Sequence, residues 1–285
     1  MANHSVTRKF LVFLFICMSL TAVKLHGQSQ KAANGKPFVL GVTESFHSAV
    51  LGEGRTLNIY LPPSYNKETG KKFPVIYLLD GSADEDFVHV VGLHQFLNMI
   101  GAMPEVIIVG VANVDRKHDF TYPSSLADDK KLVPTSGGSA AFIQFLNSEL
   151  QPFVAKRYRI NDQHTLIGQS LGGLLATEIL LKEPGSFSAY IIVSPSLWWD
   201  KESLLAHAPS LLAAHNYSGI TVTVSVGSEG DQMVGDANKL IALLKTTDAK
   251  IISIPMPDED HLTILHRCLY KVFGALYKKD EQNSH

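Results

Sequence analysis

The sequence predicts an α/β protein. A mostly parallel central sheet would carry an antiparallel N-terminal edge and helices on both faces. Three observations lead there. The 285-residue chain is 45% hydrophobic, enough for a substantial core in one catalytic domain. Short continuous apolar runs rich in β-branched residues recur along it, as suits parallel strands buried on both faces. Amphipathic stretches with apolar residues three and four apart separate these runs, which implies βαβ units.

The elements follow in order. Alternating apolar residues from Phe38 to Leu61 predict two antiparallel strands, ended by Pro62-Pro63. Buried strands are expected at Phe73 to Leu79, Val106 to Val111, Thr165 to Gly168, Tyr190 to Val193, Ile220 to Val226 and Ile251 to Ile254. Helical patterns cover Asp84 to Ile100, Ser139 to Arg157, Leu171 to Lys182, Asp231 to Lys245 and Leu262 to Tyr277. Residues 113–138 are polar and turn-rich, the best candidate for a loop over a site. The expected domain therefore spans residues 37–280.

The N-terminus reads as a signal peptide over residues 1–27. Arg8 and Lys9 precede an apolar stretch, Phe10 to Leu20, that is short for a membrane span, and Gly27-Gln28 offers a cleavage point. Cys17 lacks the small preceding residues of a lipobox. Residues 28–36 are polar and small, a disordered lead-in. Export to the periplasm or beyond is the expectation, without stable membrane insertion after cleavage. Cleavage removes Arg8, Lys9 and Lys24 and no acid, lowering the formal charge by three, from −2 to −5. Such a chain has no basic field for nucleic acid. Only Cys268 then remains, so no internal disulfide is available, and its apolar helical setting suggests a buried small hydrophobe. The 12 histidines show no HExxH spacing, so no metal site is expected.

The strongest chemical signal is Gly168-Gln169-Ser170-Leu171-Gly172-Gly173. It lies between an apolar strand and an amphipathic helix, the context a G-x-S-x-G nucleophile elbow requires. Ser170 would start the helix, where free N–H groups favour developing negative charge. A serine nucleophile needs a base, and in elbow folds the chain order is serine, acid, histidine. His207 and His215 sit in a polar helical stretch before a strand, His266 within the last helix and His285 at the end. His261 follows the last strand and its loop, so it can reach the carboxyl edge of the sheet. The acid belongs on the loop after the preceding strand, where Glu229 and Asp231 both qualify. Glu229 is preferred, because Asp231 reads equally as a helix cap. Oxyanion donors are expected from the N–H of Leu171 and from Ser82, after Asp80-Gly81.

With these residues in view, the chain resembles the esterase D-like esterase family of the α/β-hydrolases, from about Ser45 to Tyr277. The carriers are Tyr77-Leu78-Leu79-Asp80-Gly81, Arg116, Asp119-Phe120-Thr121-Tyr122-Pro123, Ile167 to Leu174, Ser194-Pro195-Ser196-Leu197-Trp198-Trp199, Gly227-Ser228-Glu229 and Asp260-His261. The pattern is most like the family's siderophore-esterase-like members. The resemblance implies an α/β-hydrolase fold and cofactor-free hydrolysis of a small-molecule ester through an acyl-enzyme on Ser170, with His261 as base. Some family members vary at the acid, which leaves Glu229, Asp231 or a dyad open. Trp198 and Arg116 are candidate substrate contacts, with core packing and loop anchoring as their alternatives. Siderophore, carbohydrate and simple short-chain esters all stay open as substrates. So do acyl transfer by the same triad and a catalytically inactive binding protein. Oligomeric state is not legible.

Overall fold

In the computed structural model residues 35–277 are described. The expected signal peptide and most of the lead-in lie outside them. The compact unit begins at Leu40. Its eight strands are β1 (Val42–Ser48), β2 (Glu53–Tyr60), β3 (Phe73–Leu78), β4 (Ile107–Val111), β5 (Ile160–Gln169), β6 (Ala189–Val193), β7 (Thr221–Gly227) and β8 (Lys250–Met256). They form one sheet in the order β1-β2-β4-β3-β5-β6-β7-β8. β2 runs antiparallel to β1 and β4, and all later pairs are parallel. The expected antiparallel edge on a parallel sheet is present.

The continuous apolar runs are explained by two cores, one on each face. In β3, Val75 and Tyr77 enter one core while Ile76 and Leu78 enter the other. β4 repeats this, with Ile107 and Val109 on the first face and Ile108 on the second. A strand side chain points to alternate faces, so only a strand buried on both sides has no polar position. The second core is closed by α1 (Phe87–Met99) and, at the C-terminal end of the chain, α9 (Ile264–Leu276). Cys268 lies fully buried there, and burial pushes its thiol up to about 11, so it packs as a neutral group.

The first core is covered by the remaining long helices. These begin with α4 (Ser139–Phe145) and α5 (Gln151–Arg157), joined by a π-turn at Leu146–Leu150. The sequence pattern read these as one helix. Pro152 cannot donate to the carbonyl of Ser148, and the widened turn accommodates that loss. Next come α6 (Leu171–Lys182), α7 (Trp199–Ala213) and α8 (Gly230–Leu244). α7 was expected only as a polar helical stretch around His207, with no bounds given. Its first residues, Asp200 to Glu202, all have positive φ, and helical geometry starts only after them. Residues 113–138 contain two short helices, α2 (Arg116–Asp119) and α3 (Ala127–Leu132), between turns. No described helix is long and apolar enough to cross a membrane.

Candidate active site

Every candidate residue leaves the carboxyl end of a strand. Asp80 follows β3, Arg116 follows β4 and Ser170 follows β5. Ser194 follows β6, Glu229 follows β7 and His261 follows β8. This is the edge where open α/β sheets place ligands.

Ser170 sits at the turn from β5 into α6 with φ 60° and ψ −120°, outside the regions an L-residue prefers. The turn closes because its flanks are glycine. A Cβ on Gly168 would stand 2.2 Å from the carbonyl oxygen of Gly172, and one on Gly173 would stand 2.9 Å from Pro195 Cα. Gly168→Ala should therefore cost about 3 kcal/mol, the upper end of what over-packing costs, because the clash is with rigid backbone. Urea unfolding measures this, and an unchanged midpoint would contradict the turn geometry.

The Ser170 hydroxyl lies 3.0 Å from His261 Nε2, and His261 Nδ1 lies 2.5 Å from Glu229 Oε2. An ionised carboxylate can only accept, so Nδ1 carries the proton and Nε2 turns its lone pair to Ser170. The second oxygen of Glu229 accepts from the Ser194 hydroxyl and from Gly227 N–H at 3.1 Å. Its side chain is 4% exposed, and one partner on Oε2 with two on Oε1 satisfies it. Asp231 stands exposed in the first turn of α8 and makes no hydrogen bond to His261. The structure thus brings Glu229, not Asp231, to the histidine. Gly230, with φ 84°, bends the chain between them.

Three contributors lie within the motifs that carry the resemblance but had no role assigned from sequence. Gln169 Nε2 donates to the His261 carbonyl at 2.6 Å, pinning the histidine's backbone to the elbow. The Ser196 hydroxyl lies 3.3 Å from that of Ser170. Ser194, with φ 44°, holds Glu229 in place. All three contacts span 26 residues or more in sequence, so only the folded sheet reveals them.

Leu171 is the first residue of α6, so its N–H has no partner within the helix and stands next to Ser170. Ser82 departs from expectation. Its N–H donates to Glu85 Oε2 at 3.3 Å, while Gly81 N–H is spent on the Val111 carbonyl. Ser82-Ala83-Asp84-Glu85 is the S-x-x-E pattern of a capping box, a signal the sequence did carry. Burial alone would raise the Glu85 carboxyl. Bonds from Ser82 and Asn113 outweigh it and keep the group below the usual carboxylate range. Ser82 serves an oxyanion only by exchanging that contact.

Arg116 is an anchor in this structure. Its Nε and Nη2 bind the two oxygens of Asp80 at 2.6 and 2.9 Å, and Nη2 reaches the Gln169 carbonyl at 3.3 Å. It thereby ties the β3 loop to the elbow. Asp119, at the other end of α2, is buried in an ion pair with Arg55. The two tryptophans divide their roles. Trp199 is fully buried, and its indole N–H donates to the Tyr122 carbonyl at 2.9 Å. Trp198 is half-buried, two residues after Ser196, and packs against the first core and edge-on to Trp199. Asp200 accepts from Ser124 and Ser125, clipping the 113–138 segment onto the start of α7. A groove of about 690 Å3, lined by Asn147, Lys182 and His215 among others, lies near the opposite, amino end of the parallel strands and includes none of these residues.

Among the described residues no group of three or more His, Cys, Asp or Glu side chains could hold a metal. The fold and this edge define an α/β-hydrolase, and the chain is a carboxylic ester hydrolase. It belongs to the family described as "Putative esterase", whose profile matches residues 48–253. It is 27% identical over 254 residues to ferri-bacillibactin esterase BesA of Bacillus subtilis, covering 80% of this chain and 87% of that one. It is 26% identical to the siderophore triacetylfusarinine C esterase of Aspergillus fumigatus, covering 77% and 80%. Among solved structures, an IroE-like serine hydrolase from Shewanella oneidensis superposes with a TM-score of 0.77. It is 26% identical, over 84% of this chain and 80% of that one.

Proposed function

We propose that this chain hydrolyses a siderophore ester through an acyl-enzyme on Ser170. The observation that carries the reading is the unbroken relay from Ser170 Oγ through His261 to a buried, doubly held Glu229. His261 Nε2 takes the hydroxyl proton as Ser170 attacks the ester carbonyl. The oxyanion is received by Leu171 N–H, joined by Ser82 N–H once it leaves Glu85. The alcohol departs with the proton held by His261. Water, deprotonated in turn by His261, then attacks the acyl-enzyme, and His261 returns that proton to Ser170 Oγ as the acid leaves. Glu229 stays ionised and stabilises the imidazolium. No step calls for a cofactor.

The substrate class is supported by the relatives, one named for ferri-bacillibactin and one for the siderophore triacetylfusarinine C. Trp198 supplies an apolar surface for one arm of such a ligand, and Arg116 orders the loop beside it. The basic n-region and apolar stretch of residues 1–27 support export, and N-terminal sequencing of the processed protein should begin near Gln28.

The test is a product analysis by mass spectrometry. Ferric siderophore esters, acetylated xylan and a feruloyl ester are each incubated with the enzyme, with and without a sugar acceptor. Faster cleavage of the siderophore ester, with free acid as product whether or not the acceptor is present, supports the reading. Preference for the carbohydrate ester would overturn the substrate class. Acyl groups recovered on the acceptor would overturn hydrolysis in favour of transfer.

A further inference from the structure

Two histidines outside the relay meet at the surface, between the starts of α1 and α9. His89 lies in the first turn of α1 and His266 in the first turn of α9. Their Nδ1 atoms are 3.3 Å apart, with ring centroids at 5.4 Å and planes inclined by 51°. The other nitrogen of His89, Nε2, lies 3.1 Å from Asp86 Oδ1. An ionised carboxylate accepts only, so His89 carries its proton on Nε2 and turns the Nδ1 lone pair toward His266.

We infer that His89 and His266 form a two-imidazole binding site for zinc or a similar divalent transition-metal ion. The separation is the first argument. Two imidazole nitrogens at 2.0–2.1 Å from a tetrahedral zinc stand roughly 3.3–3.4 Å from each other. The spacing of the two donor atoms is therefore already that of a bound pair. The proton now lying between them need only shift to His266 Nε2, which leaves both rings neutral. The second argument is Asp86, since a carboxylate holding the far N–H of a ligand histidine fixes its tautomer and raises its basicity. No third His, Cys, Asp or Glu joins the pair among the described residues, so water completes the coordination. Bound metal would clip the start of α1, which leads on from the Asp80–Asp86 turn, to the start of α9, which leads on from His261.

The test uses zinc chloride as probe, with calorimetric titration and thermal unfolding on the purified chain. A His261→Ala background removes binding at the Ser170 site. One equivalent of zinc should bind and raise the unfolding temperature. His89→Ala and His266→Ala should each abolish both effects, and Asp86→Asn should weaken binding roughly 10- to 100-fold. His266→Phe keeps a ring in place without a ligand and should behave as His266→Ala, so a packing defect cannot imitate the loss. Absence of binding in the His261→Ala background, or equal binding with and without His89 and His266, would mean that the pair is a hydrogen bond and nothing more.

Discussion

Replacing Ser170 with alanine is expected to leave a folded protein whose ester turnover falls by roughly four to six orders of magnitude. The side chain contributes little to the core, because Ser170 stands half-exposed at the sheet edge and its hydroxyl touches only His261 and Ser196. The positive φ at this position is imposed by the glycine-flanked turn, so alanine inherits the same strain and neither relieves nor adds to it. Stability should therefore change little while chemistry stops. A fall of four orders of magnitude corresponds to about 5 kcal/mol of lost transition-state stabilisation. Steady-state kinetics beside urea unfolding separates the two effects. Near-normal turnover in the variant would remove Ser170 from the mechanism.

Glu229→Gln should lower kcat by about 10³- to 10⁴-fold, whereas Asp231→Asn should leave it nearly unchanged. The reason lies in the donors around the carboxylate. Gly227 N–H and the Ser194 hydroxyl both point at Oε1 and would hold the amide oxygen of glutamine there. The amide NH2 would then face His261 Nδ1. Nδ1 would have to accept, the ring proton would move to Nε2, and Ser170 would face a donor instead of a base. Asp231 is exposed on the first turn of α8, so its loss removes only a favourable charge at a helix N-terminus. A larger kinetic loss for Asp231→Asn than for Glu229→Gln would reverse the assignment.

Much of this architecture was legible before folding. The buried strands were readable because both faces are covered, which removes polar positions from β3, β4 and β6. The elbow was readable because Gly168 and Gly173 are demanded by backbone contacts of 2.2 and 2.9 Å, a local requirement written in local sequence. β5 was read as too short, since its first half, Ile160 to His164, is polar and partly exposed yet begins its pairing with β3 at Phe73. α7 was read only as a polar helical stretch around His207, without bounds, because it opens on three left-handed residues, held by Ser124, Ser125 and Lys239 from other elements. Glu229 and Asp231 differ by two residues in sequence. What separates them is the positive φ of Gly230, which leaves Glu229 behind at the strand end. Ser82 was assigned from its place after β3, while its S-x-x-E pattern already tied the same N–H to Glu85.

The central claim is that Ser170 is an activated nucleophile. Labelling by a fluorophosphonate probe tests it most directly, with the wild-type chain beside Ser170→Ala. The relay predicts one labelled serine in the wild type and none in the variant. A folded wild-type protein that takes up no label would contradict it and leave a ligand-binding protein built on a hydrolase fold.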